Sequence, residues 1–299
     1  MLKILKMKKS LMAGFLLLSN LFVNHAFAES SVWKISKGND YFYLGGTIHL
    51  LTQYDHPLPS EFEIAYQDAK KIIFETDLLA TQSDKFQKKL MSVLTYSDGR
   101  TLASELSPAI YDKLNYFMSK RNINIEHYAK FQPWGASIIL TMFEYQRLGM
   151  AAEYGVDNYF NSKALADSKE TMGLETPEEQ LELIASMATS EPDATIEYTL
   201  KDLETLPDFI KLMKRSWRSG ALDEFSKSQY IVSMETEFPE MYKSLVINRN
   251  NNWMDKIPSL IEAQKPVFIL VGAMHLSGDA GLLNQLKRQG FSVEQLQSL

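Results

Sequence analysis

Tyr41-Phe42-Tyr43-Leu44-Gly45-Gly46-Thr47-Ile48-His49-Leu50 is the stretch on which the reading of the fold turns. A run of strand-forming residues ends in two glycines, and His49 stands three positions past the second. Val267-Phe268-Ile269-Leu270-Val271-Gly272-Ala273-Met274-His275-Leu276 repeats the grammar near the other end of the chain. The shared pattern is an apolar strand, then Gly-x-x-His, then Leu. Only five histidines occur in the chain, and two of them share this local setting. Two strand ends therefore each present an imidazole. Glycines at such points are expected to let the backbone turn sharply off the strand and come close to a ligand.

Outward from the first copy, Val32 to Ile35 reads as a strand, Lys37-Gly38-Asn39-Asp40 as a turn, and Tyr41 to Leu44 as the returning strand of a hairpin. Lys71 to Asp77 is short, β-branched and apolar, which suits a central strand ending near Glu75. Thr171 to Glu175 is a further short strand that again ends in an acid. Phe291 to Leu296 closes the sheet. Between these strands the apolar spacing is helical. Pro108, Pro133 and Pro177 stand at helix starts, and breaks fall near Pro192, Gly220 and Pro239. The expected fold class is α/β, or α+β: a mixed central β-sheet formed by N- and C-terminal strands, with a large helical insertion at about 82–265. A strand near 171–175 interrupts that insertion, and residues 29–299 form a single domain. This assembly brings His49, Glu75, Glu175 and His275 together at four strand ends, where open α/β sheets bind ligands.

Residues 1–28 read as a secretory signal. Lys3, Lys6, Lys8 and Lys9 are followed by a short apolar core and by Ala26-Phe27-Ala28, a small-x-small cleavage pattern. Cleavage removes four lysines and no acids, so the net charge moves from −6 to −10 over the remaining 271 residues. An acidic chain argues against nucleic acid as a partner. No other apolar run approaches the roughly 20 residues of a membrane span. The expected location is the periplasm or the exterior, with no membrane span after cleavage. The chain has no cysteine, which removes disulfides, thiolate ligands and a thiol nucleophile.

Two neutral imidazoles and a carboxylate are a sufficient ligand set for a catalytic zinc or similar ion with an open position for water. Such an ion lowers the pKa of the water and polarises a carbonyl. Glu175 would serve as base, as a fourth ligand or as the group that orients a histidine. Arg249, in Arg249-Asn250-Asn251-Asn252-Trp253, would pair with a carboxylate or steady an oxyanion. Plainer roles stand beside these. A histidine after a buried strand ties down a loop, Glu175 suits the front of the helix that starts at Pro177, and Arg249 suits a solvated helix face. His56 and His127 read as surface residues, and Trp134 and Trp217 as packing residues.

In order and spacing, Gly-Thr-Ile-His49, Gly-Ala-Met-His275, Phe-Glu75-Thr-Asp, Gly-Leu-Glu175-Thr-Pro-Glu-Glu-Gln, Trp217-Arg-Ser-Gly and Asn-Arg249-Asn-Asn-Asn-Trp resemble the TraB/GumN family. The resemblance runs from Trp33 to about Val293. That family includes the Tiki proteins, which look like membrane-tethered metalloproteases. It is also similar to erythromycin-esterase-like and ChaN-like proteins. The resemblance implies that His49, Glu75 and His275 are the metal and catalytic groups, with Glu175 and Arg249 at further family positions. The expected function is then an exported, metal-dependent hydrolase, first of all a peptidase, using a manganese, cobalt or zinc ion on a peptide or small-molecule substrate. A metal-free esterase-like hydrolase, with His49 or His275 as base and Glu75 as its orienter, is the alternative. A binding protein without turnover is the third reading.

Overall fold

A computed structural model describes residues 29–188, 191–261 and 266–298. The signal reading of residues 1–28 lies outside the described residues. Six strands form one sheet: β1 (Glu29–Lys37), β2 (Asp40–Thr47), β3 (Lys71–Thr76), β4 (Glu170–Glu175), β5 (Val267–Gly272) and β6 (Ser292–Gln297). Their spatial order is β4-β3-β5-β2-β1-β6. The hairpin β1–β2 and the pair β1–β6 are antiparallel, while β2–β5, β5–β3 and β3–β4 are parallel. The sheet is therefore mixed, with strands from both ends of the chain and helices filling the middle. Four parallel strands point their carboxyl ends the same way.

Apolar chemistry accounts for the centre. Ile72, Ile73, Phe268, Ile269 and Leu270 are fully buried, as strands covered on both faces must be. A second apolar cluster, around Leu102, Leu114, Leu140 and Ile196, lies within the helical middle. Helix ends there carry the expected caps. Thr176 forms a capping box with Glu179 ahead of Pro177–Ser186, and Gly220 ends the long helix Pro192–Ser219 at a φ of 66°. Among the described residues no helix is long and apolar enough to cross a membrane.

One expectation is corrected. Gly45 and Gly46 do not release the chain from the strand; β2 runs through them to Thr47, in parallel register with Leu270 to Gly272. Their purpose is close packing. A Cβ at Gly45 would stand 2.8 Å from the Phe268 ring, and one at Gly46 would stand 2.9 Å from Leu276. Trp217 reinforces this end, because its indole N–H donates to the Gly46 carbonyl at 2.7 Å.

The chain leaves the strand only at Ile48-His49, and here the helix Val156–Ala166 receives it. The Val156 N–H donates to the Ile48 carbonyl at 3.1 Å, and Leu51 and Ala151 exchange backbone hydrogen bonds. Gly155 lies under the His49 carbonyl so closely that a Cβ would stand 2.0 Å from that oxygen. Gly155→Ala should therefore destabilise the protein by about 1–3 kcal/mol through overpacking against backbone. Thermal unfolding checks this, and an unchanged midpoint would show that the loop yields without cost.

Candidate active site

Four strand ends converge. His49 follows β2, Glu75 lies near the end of β3, Glu175 ends β4, and His275 follows β5. β3 and β5 pair only from Lys71 to Ile73 and then part. The Glu75 side chain bridges the gap, with its Oε1 accepting the Gly272 N–H at 2.7 Å. The site thus opens where the strand order reverses direction.

His275 and Arg249 are the buried half. The Asn250 amide donates to the carbonyls of His275 and Ala280 at 3.1 and 2.8 Å, which turns its Oδ1 toward the ring. His275 Nδ1 therefore carries the proton and donates to Asn250 Oδ1 at 2.7 Å. Its Nε2 accepts from Arg249 Nη1 at 3.0 Å. Arg249 also donates through Nε to Glu175 at 2.8 Å, through Nη2 to Glu75 and Glu175 at 2.5 and 3.0 Å, and through Nη1 to the Leu245 carbonyl at 3.4 Å. These bonds engage all five guanidinium N–H groups. The Trp253 ring lies against both the guanidinium, at 4.6 Å, and the His275 ring, at 4.5 Å.

The protonation states follow from these neighbours. Burial pushes His275 down to about 3, with Arg249 and His49 adding to the effect against the pull of Glu75, so the ring is neutral. Burial opposes ionisation of Glu75, but Arg249 above all, with His49 and the Gly272 N–H, outweighs it and holds the carboxyl well below its usual range. Glu75 and Glu175 together hold the Arg249 proton against the cost of burial, so the guanidinium stays charged.

His49 is the open half. Its side chain is 61% exposed, whereas the carboxylate on its Nδ1, Asp157, is 7% exposed and 2.8 Å away. A carboxylate only accepts, so Nδ1 carries the proton that is donated to Asp157. Asp157 pulls the His49 pKa upward, more strongly than desolvation lowers it. The orienting acid of His49 is thus Asp157 rather than Glu75. Asp157 was hidden in the sequence, because an acid in the first turn of a helix already suits the helix dipole. Asn250, inside the quoted Asn-Arg-Asn-Asn-Asn-Trp segment, was hidden among three like neighbours.

Both imidazole rings and Glu75 border one spot beside Gly272. The position of a Cβ on Gly272 would lie 3.2 Å from Glu75 Oε1, 3.6 Å from His275 Cδ2 and 3.7 Å from His49 Nε2. As arranged, these donors do not fit a metal ion. Arg249 holds His275 Nε2 and Glu75 Oε2, the Gly272 N–H holds Glu75 Oε1, and among the described residues no three ligating side chains are grouped to hold an ion. Of the other histidines, His56 is half-buried rather than a surface residue, with Nε2 2.9 Å from the Tyr154 carbonyl, and His127 is exposed.

A family model described as TraB/PrgY/gumN matches residues 31–295. An uncharacterized protein, YbaP, of Escherichia coli (strain K12) is 25% identical over 253 residues, covering 84% of this chain and 89% of its own length. YbaP of Shigella flexneri is 24% identical over the same shares. No solved structure matches.

The ion network sets a stability prediction. The depressed Glu75 pKa contributes stability that is present above the unfolded value of about 4.3 and lost as pH falls through the folded value. Arg249→Met strands the buried carboxylates and should cost about 3–5 kcal/mol at neutral pH. The deficit should narrow below about pH 4, where Glu75 of the variant is protonated in folded and unfolded chains alike. Denaturant melts at both pH values measure this; a deficit independent of pH would contradict the charge argument.

Proposed function

The chain belongs to the TraB/PrgY/gumN family, and on that footing we propose that it is an exported hydrolase of peptide or related acyl bonds, with His49 as the group that moves the proton. The observation that carries the reading is the His49–Asp157 pair, an exposed imidazole whose Nδ1 is held by a buried carboxylate at converging strand ends. The resemblance to the Tiki proteins supports the peptide bond as first substrate class. Export rests on the signal pattern of residues 1–28.

Water attacks the substrate carbonyl, and its proton passes to His49 Nε2 as the new C–O bond forms. Asp157 stabilises the imidazolium produced, as the acid of a catalytic triad does. The same proton then goes to the leaving nitrogen or oxygen as the old bond breaks. Arg249 has no spare N–H, so it acts on the developing negative charge through its field rather than through a donated bond. Glu75 and Glu175 keep the guanidinium in place.

A second reading, supported by the family resemblance, places a divalent ion, manganese, cobalt or zinc, with His49, Glu75 and His275, and it requires Arg249 to leave His275 Nε2 and Glu75 Oε2. Chelator treatment followed by return of each ion separates the two. Activity that survives chelation in a protein without bound metal selects the proton-transfer reading; activity lost and then restored by an ion selects the second.

His49→Ala should lower kcat/KM on a peptide library by about 10²–10⁴, the usual worth of a positioned base. Because Asp157 raises the His49 pKa, the neutral base form grows as pH rises, and the activity of the mature protein should climb on the alkaline side of neutrality. Asp157→Asn should move that rising limb to lower pH and lower its plateau. A limb that stays in place, or hydrolysis undiminished in His49→Ala, would remove the reading.

A further inference from the structure

We propose that Arg249 is the resident cation of the strand-end site, and that its guanidinium and a divalent ion are mutually exclusive occupants. The inference takes from the second functional reading only the identity of the donors, His49, Glu75 and His275.

Arg249 bonds the Nε2 of His275 and the Oε2 of Glu75, two atoms that a divalent ion would need. It also takes both oxygens of Glu175, at 2.8 and 3.0 Å. An ion bound to the same atoms would stand against the guanidinium, and two positive groups at contact repel strongly in a buried setting. The Arg249 side chain is 12% exposed and its guanidinium has every donor used, so it is seated rather than grazing. The Trp253 ring lies against the guanidinium at 4.6 Å and is itself packed on the His275 ring.

The backbone supplies a place where this residue can shift. Arg249 lies in the short helix Asn248–Met254, which is entered through the π-helical turn Lys243–Ile247. A π turn carries one more residue than the α-helical turn it interrupts, and such turns mark functional sites. The bond from Arg249 Nη1 to the Leu245 carbonyl ties the side chain to that turn. Withdrawal of Arg249 would free His275 Nε2 and Glu75 Oε2 together, while Asn250 keeps the ring oriented through Nδ1. The site then has two states: one holds the protein's own cation, and the other admits an ion from solution.

The test is a titration of Mn²⁺, read by the spin-resonance signal of free ion, into the mature wild-type protein and the Arg249→Met, Arg249→Lys and Arg249→Met/His275→Ala variants. Thermal unfolding with and without Mn²⁺ accompanies each titration. Arg249→Met should bind Mn²⁺ about tenfold or more tighter than wild type, since a contact repulsion is gone. Adding His275→Ala should return binding to the weak level. Arg249→Lys, with three donors in place of five, should fall between. If Arg249→Met folds only when Mn²⁺ is present, the gain appears as an ion-dependent unfolding transition. Equal Mn²⁺ affinity in wild type and Arg249→Met, or tight binding indifferent to His275→Ala, would overturn the proposal. So would an Arg249→Met protein that no Mn²⁺ concentration folds, together with Arg249→Lys identical to wild type. None of these outcomes depends on hydrolysis, so a failed competition with an active, His49-dependent enzyme would leave the proton-transfer reading standing.

Discussion

The Arg249 guanidinium is the constraint around which the strand ends are arranged. It joins β3 through Glu75, β4 through Glu175 and the segment after β5 through His275. A single buried charge thereby sets the spacing of three elements that the chain supplies from widely separated positions. Burying that charge is costly, and the cost is tolerable only because two carboxylates and two neutral acceptors satisfy every donor. Removing any partner leaves the others stranded, so the network acts as one unit.

The network also divides the labour of the two Gly-x-x-His motifs. His275 is buried, neutral and occupied, with Asn250 on one nitrogen and Arg249 on the other. His49 is exposed and paired through one nitrogen only, to Asp157. Two copies of one sequence pattern thus give one imidazole that helps hold the site and one whose side chain is largely exposed. The difference comes from the neighbours, a charged carboxylate for His49 and a neutral amide for His275, because those neighbours decide which protonation state is favoured.

Much of the fold was legible in the chain. The period-two hairpin, the apolar central strands and the proline-started helices are local features, and each follows from the residues of its own segment. The convergence of His49, Glu75, Glu175 and His275 was legible as well, since parallel strands align their carboxyl ends. The partners were not. Asp157 reaches His49 across 108 positions and Glu75 reaches Arg249 across 174, and no spacing rule encodes such pairings. The role of the β2 glycines is not legible in one dimension, because a glycine required by a neighbouring Phe268 or Leu276 looks there like a glycine required by a turn.

Their neighbours give the two histidines opposite protonation behaviour. A ¹⁵N NMR titration of the imidazoles reads this difference residue by residue. His275 should stay neutral, with its proton on Nδ1, down to acid pH, while His49 should titrate above the ordinary histidine value of about 6.5. Two histidines that titrate together near that ordinary value would contradict the account.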